Sequence, residues 1–120
     1  MSAEALILSE VEMVRDDTAH AVTPPKGFYG TRSRAFEFRD QIEHLLDSEA
    51  QRIIIEFDGV SATQSFIDEL LGVLIVHRGA ETVRRLVFKG CSDDLKAIIG
   101  FVLNDRIEQL EDANAMRSRH

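Results

Sequence analysis

Residues 53–79 read IIIEFDGVSATQSFIDELLGVLIVHRG, and this stretch decides the fold. It opens on Ile53, Ile54 and Ile55, with Glu56 interrupting before Phe57, the apolar run of a strand covered on both faces. Asp58-Gly59 follows with turn chemistry, and a polar link runs from Ser61 to Gln64. Phe66, Ile67, Leu70, Leu71, Leu74 and His77 then recur at helical spacing. Ser65 stands just before that pattern with Asp68 three residues on, the spacing of a capping box, which makes Ser65 the predicted N-cap. A buried strand thus delivers the chain to a polar loop that ends at a helix start. In open α/β sheets, function gathers at that end of the strands.

Working outward, Gly27 to Ser33 (GFYGTRS) leads into a helix whose apolar face is Ala35, Phe38, Ile42, Leu45 and Leu46. Thr31 or Ser33 can cap it. Arg32 and Arg34 sit where the helix dipole disfavours cations, which admits two readings. Thr31, Arg32 and Ser33 form a candidate anion site using free backbone donors, or the arginines are exposed and pair with Glu37 or Asp58. Further upstream, Ala5 to Val14 reads as an edge strand or short hairpin, and Asp16 to Lys26 as a loop, because Pro24-Pro25 forces extended backbone. Downstream, Ala80 to Arg84 leads to a strand at Leu86-Val87-Phe88. Ser92, followed by Asp93 and Asp94, is an N-cap with acids in the first turn. The last helix buries Leu95, Ile98, Ile99, Val102 and Leu103 and extends to Leu110. Residues 111–120 are polar and uncapped, so a disordered tail is expected behind a single domain at 1–110. Alternating strands and helices imply an α/β fold: a small mixed or mostly parallel sheet of four to five strands, with helices mainly on one face.

Composition bounds the function. The 120 residues suit one core, and 44% hydrophobic with 29% charged residues is ordinary for a globular domain. The net charge of −7 argues against nucleic acid, whose non-specific binding rests on neutralising phosphates. The longest apolar run, Leu70 to Val76, falls short of the roughly 20 residues of a membrane span. The opening MSAEALILSEVEMV carries acids among its apolar residues and no basic region, unlike a signal peptide. A single cysteine, Cys91, suits a reducing cytoplasm.

No catalytic motif stands out: no Gly-rich phosphate loop, no nucleophile elbow, no His/Cys pair at metal spacing. No cofactor or metal is expected, nor an enzyme. His20, His44, His77 and His120 are scattered, His77 reading as a packed or rim residue. Cys91 precedes a helix start, a place that can activate a thiol, but with no evident base nearby it reads as a small buried residue. Asp68 and Glu69 are adjacent on a helix and leave it about 100° apart, a poor geometry for paired acid and base. Ser65 is accounted for by capping, and is also well placed for phosphorylation.

The segments GTRS (30–33), IIIEFDGV (53–60), QSFIDELLG (64–72) and FKG (88–90) together resemble the STAS-like family of uncharacterised bacterial domains. The resemblance spans roughly Phe28 to Arg106 and is most specific over 53–72. More distantly the chain is similar to STAS domains of anti-sigma-factor antagonists. In those, a comparable strand, loop and helix carry an Asp-Ser pair whose serine is phosphorylated by a GHKL-type ATPase/kinase. Ser65 falls on that phosphoacceptor position, and Gln64 stands where the aspartate would be. Phe66-Ile67-Asp68-Glu69 replaces the short Ser-Gly-Leu that follows there.

The resemblance implies a cytoplasmic, non-enzymatic regulatory domain binding a protein partner, a GHKL-type ATPase/kinase, through Ser61, Thr63, Gln64, Ser65, Phe66, Asp68 and Glu69. Two alternatives stay open. One is a small anion- or nucleotide-binding domain or enzyme with Arg32, Ser65, Asp68 and Glu69 around one ligand. The other is the subunit of a homodimer, which would cover an open sheet edge.

Overall fold

The sidedness of the central strand sets the architecture. In β3 (Arg52–Glu56) Ile53 and Ile55 are fully buried while Ile54 between them is only half-buried. The strand therefore has one well-covered face, not the two that an unbroken isoleucine run suggests. Apolar residues on both sides of a strand do not guarantee a layer on both sides. The computed structural model describes residues 18–20 and 24–118; the strand or hairpin expected over 5–14 lies outside them.

β1 (Thr18–His20) and β5 (Leu86–Lys89) flank β3, giving a three-stranded sheet in the order β1-β3-β5. A second, two-stranded sheet pairs β2 (Gly27–Tyr29) with β4 (Val60–Ala62). Every pairing among the described residues is parallel, as crossover connections through helices require. The fold is thus α/β with parallel strands, as expected. β1 falls inside the segment expected to be a plain loop. Its three residues have no strand pattern of their own and are held by β3, Thr18 opposite Arg52 and His20 opposite Ile54.

The two sheets share a logic. Thr18 pairs with Arg52, 34 residues on, and Gly27 with Val60, 33 residues on. The same two lengths of chain therefore run side by side twice, slipping by one residue between the ladders. β3 turns into β4 at Asp58-Gly59. There Val60 N–H donates to the Phe57 carbonyl, and Gly27 N–H donates to that of Gly59 at 3.1 Å. Gly59 sits at φ 71°, where glycine is at home.

Three helices follow among the described residues. α1 spans Arg32–Leu46. α2 runs without a break over 64–78 and changes character on the way: α-helical at Gln64–Ile67, π-helical at Asp68–Gly72, α-helical again at Val73–Arg78. A 3-10 segment, Ala80–Arg85, leads to β5. α3 spans Asp93–Ser118, starting on the predicted cap, with Leu95 N–H donating to Ser92 Oγ at 3.2 Å. It carries on past Leu110, where disorder was expected. Helix-forming Glu111, Ala113, Ala115 and Met116 continue the helix as a mostly exposed extension.

The core gathers Ile42 and Leu46 of α1, Phe66, Ile67, Leu70, Leu71, Leu74 and Ile75 of α2, and Leu95, Ile99 and Val102 of α3 over Ile53, Ile55 and Phe57. Basic side chains finish the helix ends. Arg85 donates to the carbonyls of Leu46 and Ala50, and Arg78 bonds Asp47 and Glu43. Among the described residues no helix is long and apolar enough to cross a membrane.

Candidate functional site

Tyr29 of β2 lies opposite Ala62 of β4, and each strand leads at once into a helix. Thr63 joins the two exits. Its N–H donates to the Tyr29 carbonyl at 3.0 Å, its hydroxyl donates to the Gly30 carbonyl at 3.2 Å, and the same oxygen accepts from Phe66 N–H at 3.1 Å. Thr63 is therefore the N-cap of α2, and Ser65 is not. Thr63 is two residues earlier than the hydrophobic pattern suggested, because Gln64 and Ser65 form a polar first turn. Freed of capping, Ser65 is exposed within that turn. At the start of α1, Thr31 takes the N-cap position without a side-chain capping bond, and accepts from Ser33 Oγ at 3.4 Å.

Beneath the loop, Phe66 is fully buried, its ring 5.2 Å from Tyr29 and 6.5 Å from Phe38. Phe66 thus supports the surface formed by Ser61, Gln64 and Ser65 from below; those three are exposed. The Tyr29 hydroxyl donates to the Pro25 carbonyl at 2.6 Å, fastening the two-proline segment to the same cluster.

The second feature is a charge network across the three helices. Arg32 Nη1 approaches Asp68 Oδ2 at 3.1 Å and Glu69 Oε2 at 3.3 Å. Arg106 of α3 forks onto Asp68, Nε to Oδ1 at 2.8 Å and Nη2 to Oδ2 at 2.7 Å. Arg39 Nη1 donates to Glu69 Oε1 at 3.2 Å and to the Glu69 carbonyl at 2.9 Å. Adjacent carboxylates were expected to diverge, yet both reach one nitrogen. The angle between neighbouring Cβ atoms fixes only where side chains depart, and glutamate's extra methylene lets it swing back. Arg32 pairs with these acids, not with Glu37 or Asp58.

Arg39 was missed. It lies at 7% exposure on the buried face of α1 between Ala35 and Ile42, and that spacing was readable: it follows Ala35 by four and precedes Ile42 by three. The π-helical turn explains its use. Val73 N–H reaches back five residues to the Asp68 carbonyl, and the widened ring lets a side chain bond the Glu69 carbonyl. Gly72 makes the turn close-packed, since a Cβ there would stand 2.4 Å from Asp68 Oδ1 and 3.2 Å from Arg106 Cγ and Val102 Cγ1. Gly72→Ala is therefore expected to cost about 1–3 kcal/mol, although alanine is the better helix former by about 1 kcal/mol. Combined with Asp68→Ala, which removes the tightest of these contacts, the same change should cost less. Urea unfolding of the single and double variants checks both.

The Arg106 guanidinium, aided by Arg32, holds the Asp68 carboxyl below its usual range against the opposing effect of burial. A depressed carboxyl contributes stability above its unfolded pKa and loses it as pH falls through the lower folded value. The melting-temperature gap between the wild type and Asp68→Asn should hold steady from neutral pH to about pH 4 and close only below it. A carboxyl held below its usual range also makes a poorer general acid near neutral pH.

Ser65, Gln64, Arg32, Asp68, Arg106 and Gln109 border one open cavity of about 390 Å3, with Asp105 at its rim. The geometry thus brings Arg32, Ser65 and Asp68 together, with Glu69 bonded to Arg32 alongside. Both arginines there are paired with Asp68, and Arg32 with Glu69 as well, so little positive charge is left over for an outside anion. Burial pushes the Cys91 thiol up, with Lys96 opposing, and His77 is a rim residue 3.7 Å from Glu43. Among the described residues no group of three or more His, Cys, Asp or Glu side chains is placed to hold a metal ion.

A family model described as a STAS-like domain of unknown function matches residues 35–96. This span takes in most of α1, all of α2, β3 to β5 and the whole 61–69 loop. No curated protein and no solved structure matches the chain significantly.

Proposed function

The chain belongs to the family of STAS-like domains of unknown function, and from that membership we propose that it is a non-enzymatic regulatory domain that binds a protein partner through residues 61–69. One observation carries the reading. Ser61, Gln64 and Ser65 stand exposed on a loop that Thr63 and Phe66 hold rigidly. A fixed polar surface loses little conformational freedom on binding.

Ser65 is the switch in this proposal, with a GHKL-type ATPase/kinase as the partner. Its exposure on a cavity shared with Asp68 and Asp105 supports that role. A phosphate adds about −1.5 to −2 charges, and beside these carboxylates it would repel an acidic partner surface. Incubation with ATP and a GHKL-type kinase, followed by mass spectrometry, should find the phosphate on Ser65 and none in Ser65→Ala. Co-purification should recover the partner with the wild type and lose it with Ser65→Asp. Equal recovery with both would sink the switch, and no recovery with either would sink the partner surface.

A further inference from the structure

Along a parallel strand, the peptide groups of alternate residues face opposite neighbours. In the β2–β4 ladder the Gly59 carbonyl and the Thr63 N–H both bond toward β2, so residues 59, 61 and 63 face that way. The N–H and C=O of Ala62 therefore face the other side, where β4 has no partner strand among the described residues. An open groove of about 500 Å3 lies there, between Ser61 and Ala62 on one wall and the first turns of α3 on the other. Ala62, Leu95, Ala97 and Ile98 give it an apolar floor, Asp94 stands at its lip, and no Lys or Arg lines it.

We propose that this edge of β4, unpaired among the described residues, takes an extended peptide of a partner protein as an added parallel or antiparallel strand. An apolar side chain of the peptide rests on Leu95 and Ile98, and a Lys or Arg meets Asp94. The main-chain groups select the occupant. Ala62 offers both a donor and an acceptor to a strand, whereas a helix has already satisfied its own. Asp94, with Asp93 beside it in the same turn, selects the charge. Exposed Phe28 lies opposite Ser61 in the ladder. The inference rests on reading this end of the sheet as a partner surface, and adds how the partner is held.

The test pans a random octapeptide display library against the full-length chain, and measures the enriched peptides as synthetic fluorescent versions by anisotropy. Basic, alternating sequences should be enriched. Ala97→Arg and Asp94→Lys, both at exposed helix positions, should weaken them at least tenfold, and Asp94→Lys should shift enrichment toward acidic peptides. Bound peptide should slow hydrogen exchange at the Ala62 amide, and N-methylation of the facing peptide residue should abolish binding. No enrichment, or binding indifferent to both substitutions, overturns the proposal. So does a homodimer that Ala97→Arg dissociates, which would give the groove to a second copy. Partner recovery that depends on Ser65 yet is untouched by Ala97→Arg would leave the proposed function standing and remove the groove from it.

Discussion

Phe66→Ala is expected to lower the unfolding free energy by about 3–5 kcal/mol, the range for truncating a buried aromatic side chain. Phe66 is fully buried and belongs to a ring cluster with Tyr29 and Phe38. Those rings come from β2, α1 and α2, so the cavity would open where three elements meet and none can close it alone. The backbone bond from Phe66 N–H to Thr63 Oγ1 survives the change, so the cap itself should persist. Denaturant unfolding gives the magnitude. A loss below about 1 kcal/mol would mean that the cluster collapses around the gap and does not hold the loop. The same variant should weaken partner capture although Phe66 touches no solvent, because the exposed residues above it lose their support.

Arg39→Leu should cost about 2–4 kcal/mol. Leucine keeps the apolar packing beside Ala35 and Ile42, so the loss isolates the guanidinium. Without it the Glu69 carbonyl and carboxylate both lose the Arg39 donor at the widened turn of α2. The arginine is itself imperfectly satisfied. Its Nε lies buried without a hydrogen bond, 3.8 Å from Glu43 Oε2, while its guanidinium carbon sits 4.9 Å from the Phe36 ring centroid. That partial dissatisfaction places the expected cost toward the lower part of the range for breaking a buried pair. Arg39→Lys should recover a part of it, since an ammonium supplies charge without the fork. A change within 0.5 kcal/mol, typical of surface substitutions, would show that the network is ornamental to stability.

Much of the architecture was written in periodicities. Ile53 to Glu56 and Leu86 to Phe88 lie in strands, and the apolar spacing of α1, α2 and the first half of α3 predicts most of the faces they bury. What periodicity cannot carry is pairing. Thr18–His20 becomes a strand only because β3 offers an edge at the right offset, and nothing in three such residues announces it. The cap of α2 moved from Ser65 to Thr63 because hydrophobic spacing locates a helix's buried turns and is blind to a polar first turn. At the candidate site, Arg32, Asp68 and Glu69 were legible as unusual residues, but their mutual contact was not. Their meeting depends on how α1 crosses α2, a tertiary fact. Arg39 could have been read as a charge on an apolar stripe, and Arg106 carried no such signal.

The fork between Arg106 and Asp68 joins residues 38 positions apart in sequence, and this has a consequence for a chain still being made. At about 5–20 residues per second, Asp68 is synthesised roughly 2–8 s before the arginine that will grip it. Through that interval the acidic turn has Arg32 and Arg39 already behind it in the chain, and Gly72 still lacks the helix that closes over it. The nascent protein can assemble its sheet and first two helices early, but its three-helix clasp shuts only once α3 has been made.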